Sequence, residues 1–282
     1  MSLIEEVMRR QAHERGATPA IAASATGTAS IARSAPTARA ARPAVVPVQE
    51  STVQQYRPAP VDAEALERNR VLLRVQDVAV SRAYKILRTR VLHRMADHDW
   101  TTLGVTGTGA GEGKTVTAIN LAIALAQDPN IWVYLVDLDL QRPQLGAYLG
   151  MTYDHGLTDF LGGQAELDQI IYDIGLKRLA VVPNASPVET SSEYLRSARM
   201  ADFINALEAQ TPRRIIVLDM PPIMMSDDVL AFAPRVDSFL LVASQGLTAR
   251  RTLANAKEVL AELNLLGVVL NRSTERNDSP YY

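Results

Sequence analysis

From residue 102 onward, short and largely apolar runs alternate with longer amphipathic stretches. The runs fall at 102–106, 131–137, 179–182, 215–219, 239–243 and 266–270. They are too short for ordinary helices, and they lack the strict alternation of a half-solvated strand. That pattern predicts strands buried on both faces. Helical periodicity is predicted over 114–126, 191–209 and 249–263, with one long helix over 78–95 leading into the folded region. Doubly buried strands separated by helices predict an α/β fold, a mostly parallel sheet with helices on both faces.

The N-terminal part is different. Leu3, Ile4, Val7 and Met8 lie at helical spacing, with Glu5, Glu6, Arg9 and Arg10 on other faces. Residues 1–15 are therefore read as a short amphipathic helix, which is either a docking element or an isolated helix with no role. From residue 16 the chain is rich in Ala, Pro, Ser, Thr and Arg without hydrophobic period. This predicts a disordered linker, carried here to residue 77. The folded domain is expected over 78–276, followed by a short tyrosine tail at 277–282.

Three motifs bring chemistry to this frame. The first is Gly107-Thr108-Gly109-Ala110-Gly111-Glu112-Gly113-Lys114-Thr115, between a predicted strand and a predicted helix. Glycines let a loop fold tightly and aim N–H groups at phosphate oxygens, and the following helix start adds favourable partial charge. Lys114 is expected to reach the β- and γ-phosphates, and the Thr115 hydroxyl to ligate Mg²⁺. Gly109, Gly111, Glu112, Gly113 and Val116 complete the expected nucleotide-binding run. The glycine pattern is shifted: Thr108 stands where the usual spacing has glycine, and Gly107 comes one residue early. The second motif, Asp137-Leu138-Asp139, ends a buried strand, where period-2 geometry points both carboxylates the same way. Like charges so placed suit a bound cation or activation of an attacking hydroxyl. The third is Ile215-Ile216-Val217-Leu218-Asp219-Met220-Pro221-Pro222, an apolar strand whose terminal carboxylate orients Mg²⁺ through water. Asp228 beyond it is either a switch residue or a helix N-terminal acid.

Composition narrows the field. The net charge of −2 gives no overall reason to expect nucleic-acid binding. The absence of cysteine excludes disulfides, a thiol nucleophile and cysteine-ligated metal. No apolar run reaches about 18 residues and the N-terminus lacks a secretory pattern, so neither a span nor a leader is expected.

With these motifs in order, the chain resembles the deviant Walker-A ATPases of the ParA/MinD-type superfamily. Within them it is most similar to the bacterial tyrosine kinases of exopolysaccharide and capsule loci. The similarity extends to Asn120-Leu121-Ala122, Arg142-Pro143, Gly156-Leu157-Thr158-Asp159-Phe160-Leu161, Ser192-Glu193-Tyr194-Leu195 and Gly267-Val268-Val269-Leu270-Asn271. It implies a P-loop NTPase fold using ATP and Mg²⁺. Lys114 would meet the phosphates, Asp137 would be the candidate base, and Thr115, Asp139 and Asp219 would surround the metal. Asn271 would read the adenine. It also implies autophosphorylation of tail tyrosines, here Tyr281 and Tyr282, usually across a ring of subunits. The implied partner is a membrane-anchored polysaccharide co-polymerase that recruits a cytoplasmic kinase to the inner face of the membrane.

Some positions depart from the family pattern. Its oligomerisation helix carries Glu-x-x-Arg-x-x-Arg, whereas the matching residues here are Arg82, Lys85 and Arg88. Gln141 replaces a common arginine, and the tail has two tyrosines instead of a cluster. Three functions therefore stand side by side. They are an autophosphorylating tyrosine kinase, a non-catalytic ATP-binding regulator of polysaccharide assembly, and a ParA/MinD-type positioning ATPase. The last carries a signature lysine where this chain has Gly109, which argues against it.

Overall fold

In the computed structural model the apolar runs alternate between two cores. Val133 and Leu135 pack into one, and Tyr134 and Val136 into the other. Residues 56–73, 77–184, 186–211 and 213–273 are described; the expected helix over 1–15 and the tail over 277–282 lie outside them. The strands are β1 (Arg57–Pro58), β2 (Thr102–Gly107), β3 (Trp132–Asp137), β4 (Tyr172–Asp173), β5 (Leu179–Val182), β6 (Arg214–Asp219), β7 (Ser238–Ser244) and β8 (Leu265–Asn271). They form one sheet in the order β1-β4-β5-β3-β6-β2-β7-β8. Every pairing is parallel except β4 with β5. The expected mostly parallel sheet with helices on both faces is what the chain adopts.

One face is covered by α1 (Ala63–Arg68), α2 (Val78–Ala96), α3 (Lys114–Ala126) and α4 (Leu145–Leu149). The other carries α5 (Leu157–Leu161), α6 (Leu167–Ile170), α7 (Ser191–Arg196), α8 (Ala198–Gln210), α9 (Asp228–Phe232) and α10 (Arg250–Ala261). Helix α3 is buried along nearly its whole length, which explains its almost uninterrupted apolar sequence. The helix expected over 191–209 is two helices. Ser197 has extended backbone, and its Oγ accepts from Met200 N at 3.1 Å, ending α7 and capping α8.

The expected linker reaches too far. Residues 56–73 form a strap packed on the domain, with Leu66 and Val71 buried beside α3. Sequence pattern hid it because its apolar residues keep no sustained period and its anchors are polar. The Asp62 carboxylate caps α1 by accepting from Glu64 N and Ala65 N. Arg70 takes a left-handed turn, with φ 57°. Buried Asn120 of α3 then holds the turn from both sides. Its Oδ1 accepts from Leu72 N at 2.8 Å, and its Nδ2 donates to Arg70 O at 3.1 Å. Asn120→Ala should cost about 1–3 kcal/mol by orphaning these groups and should speed proteolysis near residues 70–73. Urea unfolding and limited digestion check this; unchanged values for both would show that the strap does not depend on Asn120.

Candidate active site

Parallel register brings the motifs together before any side chain is considered. Asp219 at the end of β6 lies opposite Asp137 on β3 and opposite Val105 on β2. The loop after β2 therefore opens at the same sheet edge as both carboxylate motifs, at the carboxyl ends of the strands. Thr106 ties the two central strands there, its Oγ1 donating to Pro221 O at 2.7 Å.

The loop then turns into α3 through glycines in the left-handed region, Gly111 (φ 75°) and Gly113 (φ 91°). Gly113 has a second constraint, since a Cβ there would lie 2.1 Å from Asn271 Nδ2. That amide donates to Glu112 O at 2.9 Å, while Asn271 Oδ1 accepts from Arg272 N. Asn271, expected at the adenine, thus grips the back of the loop. The first N–H groups of α3, those of Lys114, Thr115 and Val116, have no intrahelical acceptor and face the ligand end of the helix.

Lys114 Nζ lies 3.7 Å from Asp139 Oδ2, and both side chains are largely buried. Asp219 is 1% exposed, and its Oδ1 has no hydrogen-bond partner. Burial pushes its pKa up to about 6 against the opposing pull of Lys114 and the Thr115 hydroxyl. Asp139 is also raised by burial, with Lys114 holding it down. Asp137 is raised well above the usual carboxylate range by burial and then by the Asp219 charge. Asp139 and Asp219 thus both feel one ammonium group, with Asp137 buried behind them. An orphaned buried carboxylate oxygen beside a threonine hydroxyl is the donor set that a divalent cation, or water held by it, would satisfy.

The two carboxylates of the second motif do not share one orientation. β3 ends at Asp137, so its pleat does not extend to Asp139. Asp137 Oδ2 accepts from Gln144 N at 3.2 Å and Leu145 N at 3.0 Å, while Oδ1 accepts from Asp139 N at 3.2 Å. It anchors the start of α4 and is fully buried, whereas Asp139 faces Lys114 and keeps 8% exposure. Asp228 is the first residue of α9 and is also fully buried. It accepts from Ser191 Oγ at 2.8 Å and from Gln141 Nε2 at 3.3 Å. Gln141 therefore spends its amide inside the domain, on the helices that flank the site.

Ser191 and Thr248 escaped sequence reading. Neither lies in a local pattern that marks it: Ser191 sits in a Thr-Ser-Ser run, and Thr248 in a turn. Of the three α2 residues at the family-pattern positions, Arg82 and Lys85 are exposed. Arg88 Nη1 donates to Ala124 O at 3.3 Å, against the carboxyl end of α3. Tyr281 and Tyr282 lie outside the described residues.

A glycine loop between a central parallel strand and a buried helix, with a carboxylate ending the neighbouring strand, defines a P-loop nucleotide-binding protein. Residues 103–281 match the CobQ/CobB/MinD/ParA nucleotide binding domain, and the chain belongs to that family. Tyrosine-protein kinase YwqD of Bacillus subtilis is 29% identical over 218 residues, which cover 77% of this chain and 91% of YwqD. Tyrosine-protein kinase CpsD of Streptococcus agalactiae serotype Ia is 31% identical over 176 residues, covering 61% of this chain and 75% of CpsD. The kinase domain of VpsO superposes with a TM-score of 0.61 at 26% identity, covering 69% of this chain and 96% of that domain. Within the family, then, this chain sits in the branch of the bacterial tyrosine kinases, as the resemblance implied.

The carboxylate cluster has a pH signature. A carboxyl whose pKa is higher folded than unfolded binds its proton more tightly in the folded state. Its stabilisation is complete below about pH 4 and is lost as pH rises through about 6. Nucleotide-free protein should therefore lose stability over that window. Asp219→Asn should flatten the loss and gain on the order of 2–3 kcal/mol at neutral pH. Urea unfolding across a pH series tests it, and a variant with the wild-type slope would show that Asp219 is not the group responsible.

Proposed function

We propose that this protein is an ATP-dependent tyrosine autokinase. Its folded kinase domain would run from the strap beginning at residue 56 to about residue 276, and its acceptor tail would be 277–282. The observation that carries this reading is the approach of Lys114 Nζ to 3.7 Å from Asp139, at the sheet edge shared with buried Asp219. Lys114 and the amides at the start of α3 would hold the β- and γ-phosphates of ATP. Thr115, Asp139 and Asp219 would hold Mg²⁺, which supplies charge neutralisation on the phosphates when bound.

A tyrosine oxygen would attack the γ-phosphorus as the bond to the β–γ bridging oxygen breaks, leaving ADP. The phenolic proton would pass to the Asp137/Asp139 pair. Raised carboxylate pKa values make that pair a better proton acceptor than free aspartate. Asp139 is the member that a phenol can touch, because Asp137 has both oxygens engaged by backbone N–H groups.

The acceptors assigned are Tyr281 and Tyr282, reached within or between copies of the chain. The biological role assigned is control of exopolysaccharide or capsule polymerisation and export. Among the described residues no helix is long and apolar enough to cross a membrane. A membrane-anchored co-polymerase would then bring the cytoplasmic kinase to the inner face. Tandem mass spectrometry of the tryptic peptide 277–282, from cells expressing wild type or Lys114→Met, tests this reading. Phosphate on Tyr281 or Tyr282 is expected in wild type, with at least tenfold loss in the variant. Phosphotyrosine in neither would favour a nucleotide-binding regulator without transfer; equal phosphate in both would assign the reaction to another kinase.

A further inference from the structure

The shifted glycine pattern of the phosphate loop has a physical cause inside the loop. Glu112 is 2% exposed, and its carboxylate folds back beneath the turn it belongs to. Oε2 accepts from Thr108 N at 2.5 Å and from Gly109 N at 3.0 Å. Oε1 accepts from Thr108 Oγ1 at 2.5 Å and from Thr248 Oγ1. A buried carboxylate met by four donors is well satisfied, and charge-assisted bonds of this kind are the strong ones. A Cβ on Gly107 would lie 2.6 Å from Glu112 Oε2 and 3.0 Å from Lys114 Cγ, so glycine is required at 107 for this carboxylate to fit. Thr108, standing where glycine is usual, contributes both its amide and its hydroxyl to the same group.

The bonds also leave the loop. Thr248 Oγ1 accepts from Ser244 N at 2.9 Å, which locks the turn between β7 and α10 onto Glu112. We propose that Glu112 is a positioning residue for nucleotide binding. It braces the phosphate loop from within and ties it, through Thr248, to the turn after β7. Gly107 and Thr108 are the complement of this brace, and their placement is a co-adapted variation of the loop. The amides that Glu112 takes are at the loop's entry. Those at the start of α3 are left for phosphate, and the brace holds them in the geometry that phosphate needs.

The inference rests on the nucleotide-binding reading, and one experiment separates the two. Titration calorimetry with Mg-ADP would be run on the full chain as wild type, Glu112→Ala, Glu112→Gln, Thr248→Val and the Glu112→Ala/Thr248→Val pair, with thermal unfolding of each. Absence of Mg-ADP binding by folded wild type would overturn the nucleotide reading and this inference with it. With wild-type binding in hand, Glu112→Ala is expected to weaken affinity about tenfold or more. Glu112→Gln should lose clearly less, since its Oε1 still accepts from the two amides while its Nε2 donates to the hydroxyls. Thr248→Val is expected to weaken affinity about threefold alone and to add nothing in the Glu112→Ala background. Should Glu112→Ala fail to fold, the Gln and Val variants still decide. Affinities that match wild type in every folded variant, or losses at 112 and 248 that simply add, would overturn the brace.

Discussion

The structure turns on an imbalance of charge at one edge of a parallel sheet. Asp137, Asp139 and Asp219 are buried together, and Lys114 is the cation that faces Asp139, at 3.7 Å, and draws on Asp219. Burial raises all three carboxyls, and mutual repulsion adds to the effect. Such a cluster is unfavourable in an empty domain. The register of β3, β6 and β2 imposes it, because any chain that ends these strands level with one another places their terminal residues side by side. The fold contributes a rigid core on both faces to hold that arrangement. The destabilisation is local, and stabilisation from the two apolar cores offsets it.

Much of this was legible in the sequence because it is written in short periods. The central strands are buried on both sides and so are apolar throughout. α3 is nearly all apolar because it lies between the sheet and α2, with the strap's turn against Asn120. Both give signals that depend little on tertiary context. The motif residues were legible for a related reason: Lys114, Thr115 and Asp219 follow or end elements whose positions were already determined. What remained hidden is held by single long-range hydrogen bonds. The strap at 56–73 is anchored by Asn120 from 48 to 50 residues away, and the Gln141–Ser191–Asp228 cluster spans up to 87. A lone polar residue carries no period, so neither contact can be read from its neighbours. Asp137 shows the limit of strand geometry, since the alternation that pairs it with Asp139 stops where the strand stops.

The same distinction orders the departures from the family pattern. Gln141 differs from the common arginine, yet the polar cluster around it is satisfied, with Ser191 and Gln141 both bonded to Asp228. Thr108 differs from the usual glycine, yet its hydroxyl and amide both serve Glu112. Neither change leaves a buried donor or acceptor stranded, which is the usual mark of a decayed site. One stranded buried atom within the site is Asp219 Oδ1, and it lies where a cation or its water is expected.

That orphaned oxygen would link stability to ligand. Two routes would relieve the charge imbalance: protons, which bind because the carboxyl pKa values are raised, or the divalent cation proposed to arrive with nucleotide. Both act on the same oxygens, so they compete. At neutral pH, with protons scarce, the ligand has the larger effect, and every unit of carboxylate repulsion present without it adds to the gain on binding. On that reading the domain would be least stable when empty and would stiffen as its phosphate loop fills. On the proposed brace, Glu112 would extend that coupling: it joins the loop to the turn after β7 through Thr248, so order that a nucleotide brought to Lys114 and Thr115 would reach that turn.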